Sequence, residues 1–247
     1  PFFVLGNGSN LLVSDNGFPG IILQIGQRMS RIEVDGRRIT AQAGATLAQV
    51  ARTALEHGLT GLEFAAGIPG TVGGGVVMNA GAYDGELSQV VKQVTVVSRQ
   101  CEIMELDNST MEFGYRTSTI RTNPFTVTDV IFELEEGDRE QIRAKMEELA
   151  ARRREKQPLE YPSAGSTFKR PRGNFAGKLI MDAGLRGYQT GGARVSDKHC
   201  GFIINVGGAT AQDVRDVILE VQERVKDRFG VNLETEVLFL GWGIKER

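Results

Sequence analysis

The sequence predicts an α+β protein of two parts, and three observations support this. Short apolar runs with the two-residue period of β-strands are mixed with segments that have the 3.6-residue period of helices. Glycine is abundant, with 31 residues, and many of them are clustered. Pro158 to Pro162 has the composition of a boundary between two regions. We therefore predict one domain over residues 1–157 and a smaller α+β domain over residues 158–247.

The first part is predicted to begin with strands and one capped helix. Residues 2–5 form a short apolar run that ends in a tight loop at Gly6. Asp35-Gly36 stands between two alternating segments, which is the signal for a two-residue hairpin turn. Thr46 can cap a helix whose apolar residues share one face, and Gly58 follows the end of that helix.

Further strands and a longer helix complete the first part. Residues 91–106 are predicted to form two strands joined near Arg99-Gln100, and residues 125–134 a third. A helix is predicted to begin at Asp138 and to end in the basic run of residues 152–154. Cations at a helix C-terminus oppose the negative end of its dipole, so this run can be explained without nucleic acid.

The second part continues the mixture of helices and strands. A loop over residues 163–171 precedes a short helix near residues 175–183 and a strand over residues 202–206. Thr210 with Asp213 is predicted to cap a long amphipathic helix that ends at Gly230. Residues 234–240 are predicted to form the last strand.

Composition excludes several classes of function. The net charge is −2, from 29 basic and 31 acidic residues, so no general attraction to nucleic acid or to an acidic membrane surface is expected. Cys101 and Cys200 are far apart and near no histidine pair, so neither a disulfide framework nor a metal site is expected. No apolar stretch approaches the ~20 residues of a membrane span. We therefore expect a cytoplasmic protein.

The first glycine loop follows the first strand directly. Gly6-Asn7-Gly8-Ser9-Asn10 can point several main-chain N–H groups into one concavity, which suits a diphosphate. It is not the dinucleotide fingerprint G-x-G-x-x-G, because Leu11 occupies the position of the third glycine. A simple tight turn remains the alternative.

The second glycine loop, A-G-I-P-G-T-V-G-G-G over residues 66–75, is harder to explain as a turn. Five glycines in nine residues would lose much backbone entropy on folding. Two such loops favour a cofactor with a diphosphate and an extended body. FAD and a nucleotide sugar both fit, and composition does not separate them.

Five motifs in order carry a more specific resemblance. They are L-G-N-G-S-N-L-L, A-G-I-P-G-T-V-G-G-G-V-V-M-N-A-G-A-Y, F-G-Y-R-T-S, S-A-G-S-T-F-K-R-P and L-E-T-E-V. Together they resemble the UDP-N-acetylenolpyruvoylglucosamine reductases. The resemblance implies a FAD-binding domain of the vanillyl-alcohol-oxidase type followed by a substrate-binding domain. It also implies NADPH as hydride donor, with UDP-N-acetylmuramate made for peptidoglycan precursor synthesis.

The resemblance and the glycine loops together predict the cofactor site. The residues expected to hold FAD are Gly6, Asn7, Gly8, Ser9, Asn10, Gly67, Ile68, Pro69, Gly70, Thr71, Gly73, Gly74, Asn79, Gly81 and Ala82. Tyr115, Lys169 and Arg170 are expected to contact the substrate.

Three residues are predicted to be catalytic through the resemblance. Arg116 would bind the substrate carboxylate and the charge that develops on it, since a guanidinium is a planar fork of donors. Ser166 would donate the proton, and Glu236, kept neutral, would donate a hydrogen bond. The alternatives are a surface salt bridge for Arg116, a loop or capping role for Ser166, and a solvent-exposed acid for Glu236.

Two departures from the family and two competing functions complete the predictions. Family members carry an additional N-terminal segment that this sequence lacks, and the spacing from Tyr115 to Ser163 fits a short form without an inserted tyrosine loop. A different FAD-linked oxidoreductase, or a non-catalytic nucleotide-binding module, would share the glycine loops. Oligomeric state cannot be predicted from the sequence.

Overall fold

The computed structural model describes residues 1–242. The chain folds into two compact units. The N-terminal unit comprises Phe2–Gly8 and Ile22–Arg153, and the C-terminal unit comprises Pro1, Ser9–Ile21 and, among the described residues, 154–242. Residues 243–247, which end the predicted second domain, lie outside the described residues.

The elements are numbered here in chain order. The strands are β1 (Phe2–Leu5), β2 (Leu11–Val13), β3 (Ile21–Gln24), β4 (Ile32–Asp35), β5 (Arg38–Gln42), β6 (Leu59–Thr60), β7 (Gly81–Ala82), β8 (Gly85–Glu86), β9 (Val91–Val97), β10 (Ile103–Asp107), β11 (Thr126–Glu133), β12 (Glu135–Glu136), β13 (Gln189–Thr190), β14 (Ala193–Val195), β15 (Ile203–Asn205) and β16 (Leu238–Leu240). The helices are α1 (Leu47–Glu56), α2 (Val72–Val77), α3 (Arg139–Lys156), α4 (Ala176–Asp182) and α5 (Ala211–Phe229).

The N-terminal unit is organised around an antiparallel five-stranded sheet in the order β10-β9-β11-β5-β4. Alternate residues of its central strands are buried, as expected when one face of a sheet packs on a core. Phe132 on β11 pairs with Ile39 on β5, and both are fully buried. Helices α1 and α2 pack against the sheet.

The predicted hairpin and first helix are confirmed, with one change of register. Asp35 pairs with Arg38, so the two-residue turn is Gly36-Arg37, one residue later than predicted. Gly36 has φ 56°, a left-handed conformation that glycine adopts without strain. Thr46 caps α1 in a reciprocal capping box with Gln49.

The second glycine segment is only partly a loop, which corrects the sequence-based interpretation. Gly73, Gly74 and Gly75 lie inside α2, a short helix capped by the Thr71 hydroxyl. A Cβ atom at Gly73 would lie 2.9 Å from the Cβ of Ala43, closer than such atoms pack. Gly73 therefore serves the close packing of α2 on the end of β5, whereas Gly74 is exposed.

The C-terminal unit packs α4 and α5 near a three-stranded sheet in the order β13-β14-β15. Thr210 and Asp213 form the predicted capping box of α5, and Gly230 ends it with φ 68°. The predicted last strand is shorter than expected: β16 pairs in parallel with β2, whereas Thr235 forms only an isolated bridge with Phe168. Within residues 1–242, no helix combines the length and the apolar character needed to cross a bilayer.

Candidate functional site

The two glycine segments lie side by side in the N-terminal unit. The Asn7 side-chain amide donates to the Pro69 carbonyl at 3.3 Å. A Cβ atom at Gly6 would collide with the Thr71 hydroxyl, so only glycine allows this approach. Gly8 has φ 67°, which turns the loop back on itself. The segments thus form one cradle lined by main chain, which fits the diphosphate of an elongated cofactor such as FAD.

In the second segment some main-chain amides donate to acceptors within the chain, and others have no such acceptor in residues 1–242. Val72 donates to the Ala45 carbonyl at 2.8 Å and Gly73 to the Ala43 carbonyl at 2.9 Å. The amide of Gly74 donates to the Thr71 hydroxyl. The main-chain donors of Gly73 and Gly74 are therefore occupied within the chain. Among the described residues no acceptor is seen for the amides of Gly67 and Gly70, which are therefore the better candidates.

Arg153 is a candidate site residue that the sequence-based interpretation did not include. Its side chain is half-buried beside Gly67, where a Cβ atom would lie 3.2 Å from Arg153 Cδ. It lines a mainly apolar cavity of about 240 Å³ with Tyr83 and Leu149. Burial lowers the pKa of the guanidinium from its ordinary value, while Tyr83 opposes that effect. Arg153 follows Leu149 by four residues, so the two share one face of α3. This spacing could have shown from the sequence that Arg153 lies on the buried face of the helix.

Arg116 lies in a tight turn of the N-terminal unit. Gly114 and Thr117 exchange main-chain hydrogen bonds of 3.1 and 3.2 Å across this turn. The Arg116 backbone has φ 57°, and its Nη2 donates to the Gly81 carbonyl at 3.0 Å. Tyr115 is exposed, and its ring centre lies 5.1 Å from the guanidinium carbon.

Asn79, one of the predicted cofactor residues, follows α2 and is held by two side-chain hydrogen bonds. It is fully buried, its Nδ2 donates to the Gly114 carbonyl at 3.1 Å, and its Oδ1 accepts from the Ser88 amide at 2.9 Å. Both ends of the side-chain amide are therefore engaged by the chain. Asn79 supports the turn that carries Arg116.

Gly81 and Ala82 form β7 of a small hairpin with β8. The turn between them, Tyr83-Asp84, has φ values of 52° and 66°, as a type I′ turn requires. A Cβ atom at Gly81 would lie 2.7 Å from the Gly85 carbonyl oxygen, so packing within the hairpin already demands glycine there.

Ser166 and Glu236 lie on neighbouring segments of the C-terminal unit. The Glu236 amide donates to the Thr167 carbonyl at 2.9 Å, so the two residues lie one step apart on paired segments. Thr167 is buried, and its hydroxyl accepts from the Ile203 amide at 3.1 Å. Ser166 itself forms a bridge with Phe202 and is exposed. Its hydroxyl is thus on an accessible segment held from both sides.

The residues around Ser166 support its backbone. Gly165 has φ 82°, and its amide donates to the Ser163 hydroxyl at 3.4 Å, which agrees with a structural role for Ser163. His199 accepts from the Gly201 amide through Nδ1 at 3.1 Å, and burial lowers its pKa. A neutral imidazole is consistent with that acceptor role.

Lys169 and Arg170 follow the serine motif in the same unit. Lys169 Nζ forms an ion pair of 3.0 Å with Glu234, an exposed carboxylate. The Arg170 guanidinium lies 4.1 Å from the ring centre of Phe175. Both cations are thus on the surface of the segment that leads away from Ser166. Within residues 1–242, no group of three histidine, cysteine or acidic residues is arranged to hold a metal.

Comparisons with known proteins match both parts of the chain. The profile of a FAD-binding domain family matches residues 1–107, and that of the UDP-N-acetylenolpyruvoylglucosamine reductase C-terminal domain matches residues 157–240. These matches confirm the predicted fold class of a FAD-binding domain followed by a second α+β domain.

Individual relatives are similar over nearly the whole chain. A UDP-N-acetylenolpyruvoylglucosamine reductase of Clostridium perfringens is 52% identical over 241 residues, covering 98% of this chain and 79% of that protein. One of Limosilactobacillus fermentum is 55% identical over 238 residues, covering 96% and 79%. The crystal structure of UDP-N-acetylenolpyruvylglucosamine reductase from Thermus caldophilus has a TM-score of 0.85 at 36% identity, covering 97% of this chain and 85% of that one.

Proposed function

Because the chain belongs to the UDP-N-acetylenolpyruvoylglucosamine reductase family, we propose that it reduces the enolpyruvyl ether of UDP-N-acetylglucosamine to UDP-N-acetylmuramate, with FAD as cofactor and NADPH as donor. The observation that carries this proposal is the 52% identity over 98% of the chain. The product is a precursor of peptidoglycan. We place the reaction in the cytoplasm, which agrees with two free cysteines.

The cofactor and the chain have separate tasks in this reaction. When bound, FAD takes a hydride from NADPH and supplies it to the terminal methylene carbon of the substrate. The cradle of Gly6–Gly8 and Gly67–Thr71 would hold its diphosphate through main-chain amides. Arg153, which lines the cavity, would place a cation in the same unit.

Arg116 is proposed to bind the substrate carboxylate. As hydride reaches the methylene carbon, negative charge is delocalised into that carboxylate. A fixed guanidinium stabilises this developing charge in the transition state more than it stabilises the bound substrate. The bond from Nη2 to Gly81 supports this role because it restricts the orientation of the fork before substrate binds.

Ser166 is proposed to protonate the carbon next to the carboxylate. The hydroxyl O–H bond breaks as the new C–H bond forms, and the alkoxide then recovers a proton from solvent. Glu236, one step away in register, is proposed to be a neutral acid that donates a hydrogen bond to the developing charge. Tyr115, Lys169 and Arg170 are proposed substrate contacts.

A single-turnover experiment with Ser166→Ala tests the proposal. Flavin absorbance reports reduction by NADPH and reoxidation by the enolpyruvyl substrate separately. We expect reduction to stay nearly unchanged and reoxidation to slow by about 10²–10⁴, the usual contribution of a positioned acid. Ser163→Ala is the matched control, because it removes a hydroxyl from the same motif without removing the proposed acid. Equal slowing of both steps in Ser166→Ala would show that Ser166 is only structural.

A further inference from the structure

The feature that supports a further inference is the buried side chain of Asn79. This residue follows α2 in a left-handed conformation, φ 43°, and its solvent exposure is 0%. Asparagine tolerates this conformation better than most residues because its short polar side chain can bond locally. Here it does so with one donor and one acceptor, to Gly114 and Ser88.

The two bonds of Asn79 are not interchangeable. The bond from Ser88 to Oδ1 joins Asn79 to the chain after β8, whereas the bond from Nδ2 reaches the first residue of the Arg116 turn. The Nδ2 donor of Asn79 is fully buried, and leaving such a donor without an acceptor costs about 1–3 kcal/mol, so the turn has a definite preferred position against Asn79.

A second contact joins the same two segments. Arg116 Nη2 donates to the carbonyl of Gly81, two residues after Asn79. A third, from the Ser118 hydroxyl to the Val77 carbonyl at 3.0 Å, ties the other end of the turn to α2. The backbone of the turn and the guanidinium are therefore both held against residues 77–81.

We propose that Asn79 is a positioning residue, which holds the turn over residues 114–117 so that Arg116 meets the substrate carboxylate in a prepared orientation. The inference rests on the proposed role of Arg116 and adds how that role is prepared. In this proposal Asn79 acts through Arg116, because both polar atoms of its side chain are bonded to the chain.

The substitution Asn79→Asp isolates the bond that matters. Aspartate keeps the size of the side chain and an acceptor for the Ser88 amide, but it replaces the donor to Gly114 with an oxygen that repels it. We expect reoxidation of the reduced FAD-loaded enzyme by the enolpyruvyl substrate to slow by about 10- to 100-fold, as displacement of a binding group by about 1 Å does. Reduction by NADPH should change less than twofold.

A binding measurement gives a readout that does not depend on turnover. Calorimetry on the oxidised, FAD-loaded protein would compare the enolpyruvyl ether with UDP-N-acetylglucosamine, which lacks the carboxylate. In Asn79→Asp the Kd of the ether should rise about 10-fold, because a displaced guanidinium no longer matches the carboxylate. The Kd of UDP-N-acetylglucosamine should be unchanged.

Asn108→Asp is the matched control. Asn108 is half-buried and donates through Nδ2 to the Ser88 and Val91 carbonyls at 2.8 and 2.7 Å, so Asn108→Asp also removes side-chain donation near Ser88. It does not contact the Arg116 turn, and both half-reactions should stay near wild type. Equal loss for the two ligands in Asn79→Asp, or no loss for either, would overturn the inference.

The Arg116→Lys variant separates the two proposals. If Arg116→Lys loses affinity for the ether but Asn79→Asp does not, the role of Arg116 holds and the positioning role of Asn79 fails. If Arg116→Lys keeps full affinity, the proposed role of Arg116 itself fails. If both lose affinity, the double variant should be little worse than Arg116→Lys, since residues acting through one contact are not additive.

Discussion

At the scale of the residue, Arg116 stands out by its backbone. A φ of 57° in a residue with a long side chain costs on the order of 1–3 kcal/mol and persists only where neighbours determine it. Those neighbours are identifiable: the Arg121 guanidinium holds the Arg116 carbonyl at 3.1 Å, and Asn79 holds Gly114. Such strain at a turn that presents a guanidinium is typical of a prepared binding group.

Arg116→Lys tests whether the shape of this cation matters as well as its charge. Lysine keeps the charge but presents one ammonium in place of a fork, and it loses the bond to Gly81 that fixes the side chain. We expect reoxidation by the enolpyruvyl substrate to slow by about 10- to 100-fold, with reduction by NADPH unchanged. Arg121→Lys is the matched control, since an ammonium can still donate to the Arg116 carbonyl. An unchanged reoxidation rate in Arg116→Lys would show that the mechanism does not need the planar guanidinium.

At the scale of the element, α2 contains one glycine that packing requires and one that packing does not require. Gly73 is buried, and its missing side chain makes room for Ala43. Gly74 is exposed, and a Cβ there would meet only the Thr71 hydroxyl, at 3.4 Å. The first is required by packing and the second is not, so α2 contains a matched pair for substitution.

The pair Gly73→Ala and Gly74→Ala should have opposite effects on stability. Gly73→Ala forces α2 away from Ala43 and should lower the free energy of unfolding by about 1–3 kcal/mol. Gly74→Ala reduces the entropy of the unfolded chain and should raise it by about 0.5–1 kcal/mol. Urea unfolding measures both. A loss of stability in both variants would mean that α2 cannot accept a side chain at either face.

The same helix shows where sequence reasoning reached its limit. A run of glycines satisfies both a ligand loop and a closely packed helix, and only the position of Ala43, about thirty residues earlier in the chain, distinguishes them. Local signals worked where their cause is local, as in the capping boxes at Thr46 and Thr210. They could not show that Ser9–Ile21 belongs to the C-terminal unit, because that follows from the long-range pairing of β2 with β16.

The catalytic predictions divide in the same way. The motifs around Ser166 and Glu236 indicated which residues to consider, and the structure places them one step apart in register. Asn79 was predicted to bind the cofactor from the resemblance and the glycine segments, and its bonds to Gly114 and Ser88 are contacts that no local pattern reveals. Arg153 was assigned to the helix dipole, although its spacing from Leu149 was available in the sequence.

At the scale of the whole molecule, cofactor binding and stability are linked. A ligand that binds only the folded chain stabilises it by about 2.7 kcal/mol at a free concentration 100 times its Kd. For a chain of 247 residues, each kcal/mol raises the Tm by about 2–4 °C. The proposed cradle of Gly6–Gly8 and Gly67–Thr71 holds a diphosphate and not an isoalloxazine ring, so the phosphates should account for much of this gain.

Comparing FAD with riboflavin tests that cradle without turnover. At 100 times its Kd, FAD should raise the Tm of the flavin-free protein by about 5–10 °C, measured by calorimetry. Riboflavin at the same concentration has the same ring but no phosphate for the main-chain amides to bind, so its shift should be much smaller.

Gly70 is the position for a matched variant, because a Cβ there would meet no atom closer than 3.8 Å within the chain. Gly70→Ala should therefore leave the flavin-free Tm nearly unchanged while reducing the shift with FAD, because the added methyl group would occupy space beside the diphosphate. Equal shifts with FAD and riboflavin would show that the glycine segments do not hold the diphosphate.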